Sequence, residues 1–394
     1  MTPNRRDGTA LPSPVEPSEP ILAIDWTEND EDRSARWRSE SRTPPRRVRI
    51  ADDTLSADQA FRLASEGTAL LWRGDFNNAR QLLQAIGRRI DRKPRRKIPD
   101  GADPAAGFHA HRLAQSQRAR TLGMLLVPLA ADYSVPLRRA PDVHAACLEA
   151  LGPASEPMVI PLRELLGIVG AHEWRRKGVP IAALGASIHP HYGVFSPVRG
   201  EYVDLVATTP LPSPTPMLAF DIGTGSGVLA AVLAQRGIPR VVATDLSDRA
   251  LNCAADNLDR LGLLARVELV RTDLFPAGRA QLIVCNPPWI PAKPTSLLEQ
   301  AVYDHEGGML RRFLADVSMH LAPGGEAWLI LSDLAEHLGL RSRDTLLHMF
   351  AAAGLGVVDR HDTRPTHARA QAADDPLHAA RRRETTSLWR LAPR

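Results

Sequence analysis

Met217-Leu218-Ala219-Phe220-Asp221-Ile222, then Gly223-Thr224-Gly225-Ser226-Gly227, then Val228-Leu229-Ala230-Ala231-Val232-Leu233-Ala234: this stretch decides the fold. Its first part is short and apolar, as a parallel strand buried on both faces should be. Its last part is a strong helix former stopped at Gly237. Between them, glycines at alternate positions let the backbone approach a ligand and turn its N–H groups toward it. Strand, glycine turn and helix make the first half of a doubly wound α/β unit. A dinucleotide fingerprint would carry its third glycine at position 228, which is Val228. The spacing therefore suits a cofactor without a pyrophosphate and disfavours NAD. A tight turn with no ligand is the alternative.

Three further strands follow. Arg240–Asp245 ends in an acid twenty residues after Gly225, where doubly wound sheets place a ribose-binding carboxylate. The alternative for Asp245 is a cap on the helix beginning near Ser247. Arg266–Arg271 runs into Thr272-Asp273-Leu274-Phe275, where Asp273 can accept from an adenine amino group or simply make a turn. Gln281–Cys285 runs into Asn286-Pro287-Pro288-Trp289. Two consecutive prolines fix φ and donate no hydrogen bonds, so this loop is rigid. It presents the Asn286 amide, the Pro287 carbonyl and the Trp289 ring to a planar nitrogen group, on which Trp289 can stack.

Asp-Ile-Gly-Thr-Gly-Ser-Gly (221–227), Thr-Asp-Leu-Phe (272–275), Asn-Pro-Pro-Trp (286–289) and Leu-Ala-Pro-Gly-Gly (321–325) carry a resemblance. From about residue 185 to 394 the chain resembles the class I S-adenosylmethionine-dependent methyltransferases. Within these it resembles the small-domain group that includes the HemK-type release-factor glutamine methyltransferases. The segment Arg199-Gly200-Glu201-Tyr202 partially echoes that group's Arg-Pro-Glu-Thr, with Gly200 for Pro and Tyr202 for Thr. The group's usual Asn-Pro-Pro-Tyr is here Asn-Pro-Pro-Trp. The resemblance implies a mostly parallel, seven-stranded Rossmann-like sheet with one antiparallel strand, and S-adenosyl-L-methionine as cofactor. It implies cofactor contacts from Asp221, Gly223, Thr224, Gly225, Gly227, Asp245, Leu246, Asp273, Leu274 and Asn286. Methyl transfer would fall to Asn286, Pro287 and Trp289, and acceptor contacts to Arg199, Glu201, Tyr202 and Trp289. The acceptor stays open: a protein glutamine, a small-molecule amine, or a nucleic-acid base. A binding protein without catalysis, and transfer to carbon or oxygen, are the other readings. The latter usually needs a separate general base, and none stands out near Asn286.

The rest of the chain fits this frame. A helix is expected over about 307–321, a fifth strand over Glu326–Leu331, a helix over about 340–353, and a final strand pair at Gly356–Arg360 and Ser387–Leu391. Residues 361–386 are expected to be a mobile excursion. The chain has 394 residues, enough for two domains. Residues 1–45, rich in Pro, Ser and Arg, are expected to be disordered. Residues 46–184 read as a mainly helical N-terminal domain from apolar positions such as Phe61, Leu70, Leu71, Leu122, Leu125, Leu126, Leu162, Leu165 and Leu166. The basic run Arg88, Arg89, Arg92, Lys93, Arg95, Arg96 and Lys97 could contact phosphates or be a solvated linker. Net charge is only +4, which favours a protein or small-molecule partner. Three cysteines without metal-ligand spacing suit a reduced, cytoplasmic setting. No apolar run reaches the roughly 20 residues of a membrane helix. His189 and His191 read as part of a loop shaping the substrate mouth, not as a metal pair.

Overall fold

The computed structural model describes residues 22–40, 43–92, 103–153, 156–198, 200–296, 298–365 and 377–394. The N-terminal unit holds β1 (Ala23–Glu28), β2 (Glu31–Trp37), β3 (Arg47–Ala51), α1 (Ala57–Ser65), β4 (Thr68–Trp72) and α2 (Phe76–Arg92). It continues with α3 (Pro104–Leu122), β5 (Leu125–Leu129), α4 (His144–Leu151), β6 (Met158–Pro161) and α5 (Leu162–Lys177). Among the described residues its five helices pack on a mixed six-stranded sheet of order β1-β2-β6-β5-β4-β3. Leu70, Leu71, Leu125 and Leu126, read as helical positions, are strand residues buried in its two apolar layers. Five-residue apolar runs have no period long enough to separate strand from helix. The expected disorder of residues 1–45 does not hold for Ala23–Trp37. These residues form an antiparallel hairpin through Asn29 and Asp30, both at positive φ. Residues 1–21 lie outside the described residues, as do Lys93, Arg95, Arg96 and Lys97 of the basic run and 366–376 of the expected excursion.

A hairpin of β7 (Val179–Ile181) and β8 (Ala186–Ile188) leads to α6 (Glu201–Thr208) and the second unit. There follow β9 (Leu218–Ile222), α7 (Val228–Gln235), β10 (Arg240–Asp245), α8 (Asp248–Arg260), β11 (Val267–Arg271) and β12 (Ala280–Cys285). The chain closes with α9 (Gly308–His320), β13 (Leu321–Ser332), α10 (Leu334–His337), α11 (Arg343–Ala352), β14 (Leu355–Thr363), α12 (His378–Arg381) and β15 (Thr386–Pro393). The sheet has the order β11-β10-β9-β12-β13-β15-β14, with β15 antiparallel to both neighbours. Alternation along each strand fills two cores. Ala219 and Val284 face the layer under α7 and α8, while Phe220 and Ile283 face the layer under α9 and α11.

The strand order reverses between β9 and β12, which both lie at the centre of the sheet. In open α/β sheets a ligand crevice forms outside the carboxyl ends of the strands at such a reversal. Ile222 pairs with Cys285 at the last rung. Gly223 and Asn286 therefore leave the sheet side by side.

Candidate active site

The glycine loop is built from beneath. Asp221, only 1% exposed, accepts at Oδ2 from the Thr224 hydroxyl (2.6 Å) and from the Ala230 N–H (3.0 Å) in the first turn of α7. Gly223, Gly225 and Gly227 have φ of 72°, 54° and 80°. A side chain on Gly225 would meet nothing within 4 Å, so this turn opens onto free space. Gly227 serves packing instead. A Cβ there would lie 3.0 Å from that of Ala254, so its hydrogen permits the close approach of α7 and α8. Of the residues assigned to the cofactor, Asp221 and Gly227 thus shape the loop from behind its exposed surface.

The rim is held by hydrogen bonds between strand ends. Asp245 accepts the Gly225 N–H at Oδ2 and the Ser247 N–H at Oδ1, each at 3.0 Å. It does not cap α8, because Ser247 does so through Ala250. The acid keeps lone pairs for hydroxyl donors beside the open glycine turn. Leu246 next to it is 61% exposed. The Thr244 hydroxyl donates to the Leu274 carbonyl (2.7 Å) and so holds Leu274 at a φ of 69°. A positive φ on a branched residue is costly and persists only where surroundings fix it. Asp273 is engaged by Arg312 Nη1 at 2.5 Å, a partner the sequence did not suggest. Met309, in the first turn of α9, lies beside Gly223.

On the other side of the crevice, the Trp289 indole N–H donates to Asn286 Oδ1 at 2.8 Å. The ring packs against three apolar clusters at once. The ring is half-buried, wedged between these clusters. An indole N–H only donates, so it forces the amide oxygen of Asn286 toward itself and fixes which way the amide faces. A carbonyl oxygen has two lone pairs, which leaves one to accept an N–H of the group to be methylated.

Tyr202 and Glu201 are both buried. Tyr202 is 4% exposed in the core beneath α7. Burial, with Asp221 and Glu201 nearby, pushes its hydroxyl well above the ordinary range. Both residues are buried on α6, and Tyr202 shares a core cluster with Val228 and Leu229 at the start of α7. Arg199 lies outside the described residues. His189 meets α5 of the N-terminal unit, and His191 meets α8. His189 Nδ1 donates to the Arg175 carbonyl (2.6 Å), and His191 Nε2 pairs with Asp256 (2.9 Å). Among the described residues no cluster of His, Cys, Asp or Glu could hold a metal, and no helix is long and apolar enough to cross a membrane.

Burial raises the Asp221 carboxyl to about 6, opposed by its bonds to Thr224 and Ala230 and reinforced by Asp245. A raised folded value means that the native state holds this proton more tightly than the unfolded chain does. The resulting stability is full below about pH 4 and is lost as pH rises through about 6, on the order of 3 kcal/mol. Asp221→Asn keeps one oxygen for both donors. Its unfolding free energy, followed by denaturant titration from pH 4 to 7, should lack that falling component. Identical slopes in both proteins would refute the assignment.

Comparison with known proteins gives the same picture. The Methyltransferase small domain family matches residues 185–353. A release factor glutamine methyltransferase of Gloeobacter violaceus is 33% identical over 203 residues, 48% of this chain and 67% of that protein. A ribosomal protein uL3 glutamine methyltransferase of Bradyrhizobium diazoefficiens is 36% identical over 163 residues, 37% of this chain and 48% of that protein. A ribosomal protein L11 methyltransferase of Sorangium cellulosum is 28% identical over 252 residues, 58% of this chain and 72% of that protein.

Proposed function

We propose that this chain, which belongs to the class I S-adenosylmethionine-dependent methyltransferases of the release-factor glutamine methyltransferase type, methylates a glutamine side-chain amide in a protein of the translation machinery. Its family makes it an S-adenosylmethionine-dependent methyltransferase; the acceptor and the residue roles are our reading. The observation that carries the reading is the rung Ile222–Cys285. It sets an open glycine turn beside an amide oxygen whose direction is already fixed. The exposed Leu246, the Asp245 carboxylate and the open turn at Gly225 fit a nucleoside with ribose hydroxyls.

When bound, the cofactor supplies a methyl group on positively charged sulfur, an electrophile that needs no general acid. The protein's task is alignment. Asn286 Oδ1 and the Pro287 carbonyl accept the two N–H bonds of an incoming NH₂ group. Such acceptance turns the nitrogen lone pair toward the crevice and enriches it. On transfer the nitrogen would gain the methyl group and release one N–H proton to water, and fixing the reactant in this way is worth several orders of magnitude in rate. The relatives named above act on proteins by their names, which supports a protein acceptor. In the basic run, Arg89 is already paired with Asp58, which leaves less charge for a phosphate backbone. Tritium transfer from labelled cofactor to a bacterial release factor, to ribosomal proteins, to RNA and to free amines tests the reading. Label in RNA alone would reject it.

Trp289 supplies a second test. Trp289→Phe keeps an apolar ring but loses the N–H that orients Asn286. A neutral hydrogen bond contributes about 0.5–1.5 kcal/mol, so turnover should fall roughly two- to tenfold with little change in acceptor KM. Unchanged turnover and KM in Trp289→Phe would instead favour the stacking role, which a phenyl ring still fills.

A further inference from the structure

We propose that Arg112 of α3 is a positioning residue for the acceptor loop, so that the N-terminal unit sets the geometry in which an acceptor meets Asn286. This deepens the reading above and rests on it. The loop leaves the site directly after Trp289 and returns at Asp304. Its ends are joined by a bridge between Ile290 and Tyr303 and by the Asp304 N–H donating to the Ile290 carbonyl (2.9 Å). Asp304 in turn accepts from the N–H groups of Met309 and Leu310, which fixes the start of α9 beside Gly223.

One guanidinium holds this loop at three points. Arg112 Nη2 donates to the Lys293 carbonyl (2.7 Å), Nη1 donates to Glu299 Oε1 (2.8 Å), and the group lies 3.9 Å from the centre of the Tyr303 ring. Glu299 uses its second oxygen to accept the N–H (2.8 Å) and hydroxyl (2.7 Å) of Thr295. The start, middle and end of the loop thus share one charged fork, whose side chain is 15% exposed. Phe108, one turn earlier on the same face of α3, is buried with Ile290, Leu334 and Leu338. Trp289 packs against that same cluster. The N-terminal unit therefore touches the loop and shares an apolar cluster with the residue that orients Asn286. A lysine could not replace this arginine, because an ammonium has no planar fork to serve two acceptors while lying on a ring.

The test uses the full chain as wild type, Arg112→Ala, Arg112→Lys and Glu299→Gln. Amide hydrogen exchange is followed with S-adenosylmethionine present, together with calorimetric cofactor affinity and steady-state methylation of a bacterial release factor. In Arg112→Ala, exchange across residues 293–304 should quicken by about tenfold or more while cofactor Kd stays within about twofold. Acceptor kcat/KM should fall about tenfold, mostly through KM. Glu299→Gln should give a smaller change of the same kind, and Arg112→Lys should stay close to Arg112→Ala. Unchanged exchange in Arg112→Ala, full recovery in Arg112→Lys, or an equal loss of cofactor affinity would overturn the proposal. If the wild type leaves the release factor unmethylated, the proposed acceptor fails, while the exchange measurement still decides the role of Arg112.

Discussion

Replacing Asn286 by Ala should lower the rate of methyl transfer about a hundredfold or more while cofactor affinity changes only a few-fold. The residue stands at the tip of β12, one step beyond the rung that joins it to the glycine strand. The rigid Pro-Pro turn leaves its backbone little freedom, and Trp289 holds its amide in one orientation. Alanine removes the acceptor of one N–H bond of the substrate and leaves the Trp289 N–H without its partner. An NH₂ group held only by the Pro287 carbonyl can rotate, and misalignment is costly where the reaction depends on alignment. Single-turnover transfer at saturating cofactor isolates this step from acceptor binding. A variant within a few-fold of wild type would end the clamp reading and return Asn286 to a structural turn.

The catalytic sheet was legible because its strands are short apolar runs punctuated by glycine and acid. Buried parallel strands read this way, and β9, β10, β11 and β12 begin and end within a residue of their expected bounds. The hairpin of β1 and β2 was missed because it has one buried residue in its first strand, Ile24, and the rest looks polar. Its signal was the Asn29-Asp30 pair, since two residues at positive φ make the turn that matches a hairpin's twist. Within the site, the placing of residues at strand ends was legible, and contacts across long separations were not. No local pattern announces that Arg112 will meet Glu299, or that Arg312 will meet Asp273. Asp304 did leave a trace, an acid shortly before Gly307-Gly308 and a helix, as a capping residue should. Tyr202 was assigned to an acceptor by its place in a resembling motif. The helical face on which it sits is turned into the core.

Asp245→Ala should weaken S-adenosylmethionine binding by about ten- to a hundredfold, since hydrogen bonds to a charged group contribute about 1.5–3 kcal/mol. Two effects act together. The ribose hydroxyls would lose their acceptor, and the Gly225 N–H would lose the carboxylate that holds the glycine turn at φ 54°. Asp245→Asn should do nearly as badly. An amide has one oxygen, and its NH₂ would face either the Gly225 or the Ser247 N–H that the carboxylate now accepts. Ser247→Ala separates these effects from ordinary helix capping. It removes the bond to Ala250 and should cost about 1 kcal/mol of stability, with cofactor Kd changed less than about threefold. Calorimetric titration of the three variants beside the wild type settles the matter. Equal affinities for wild type and Asp245→Ala would refute the ribose role. A loss in Ser247→Ala as large as in Asp245→Ala would mean that the acid matters only through the start of α8.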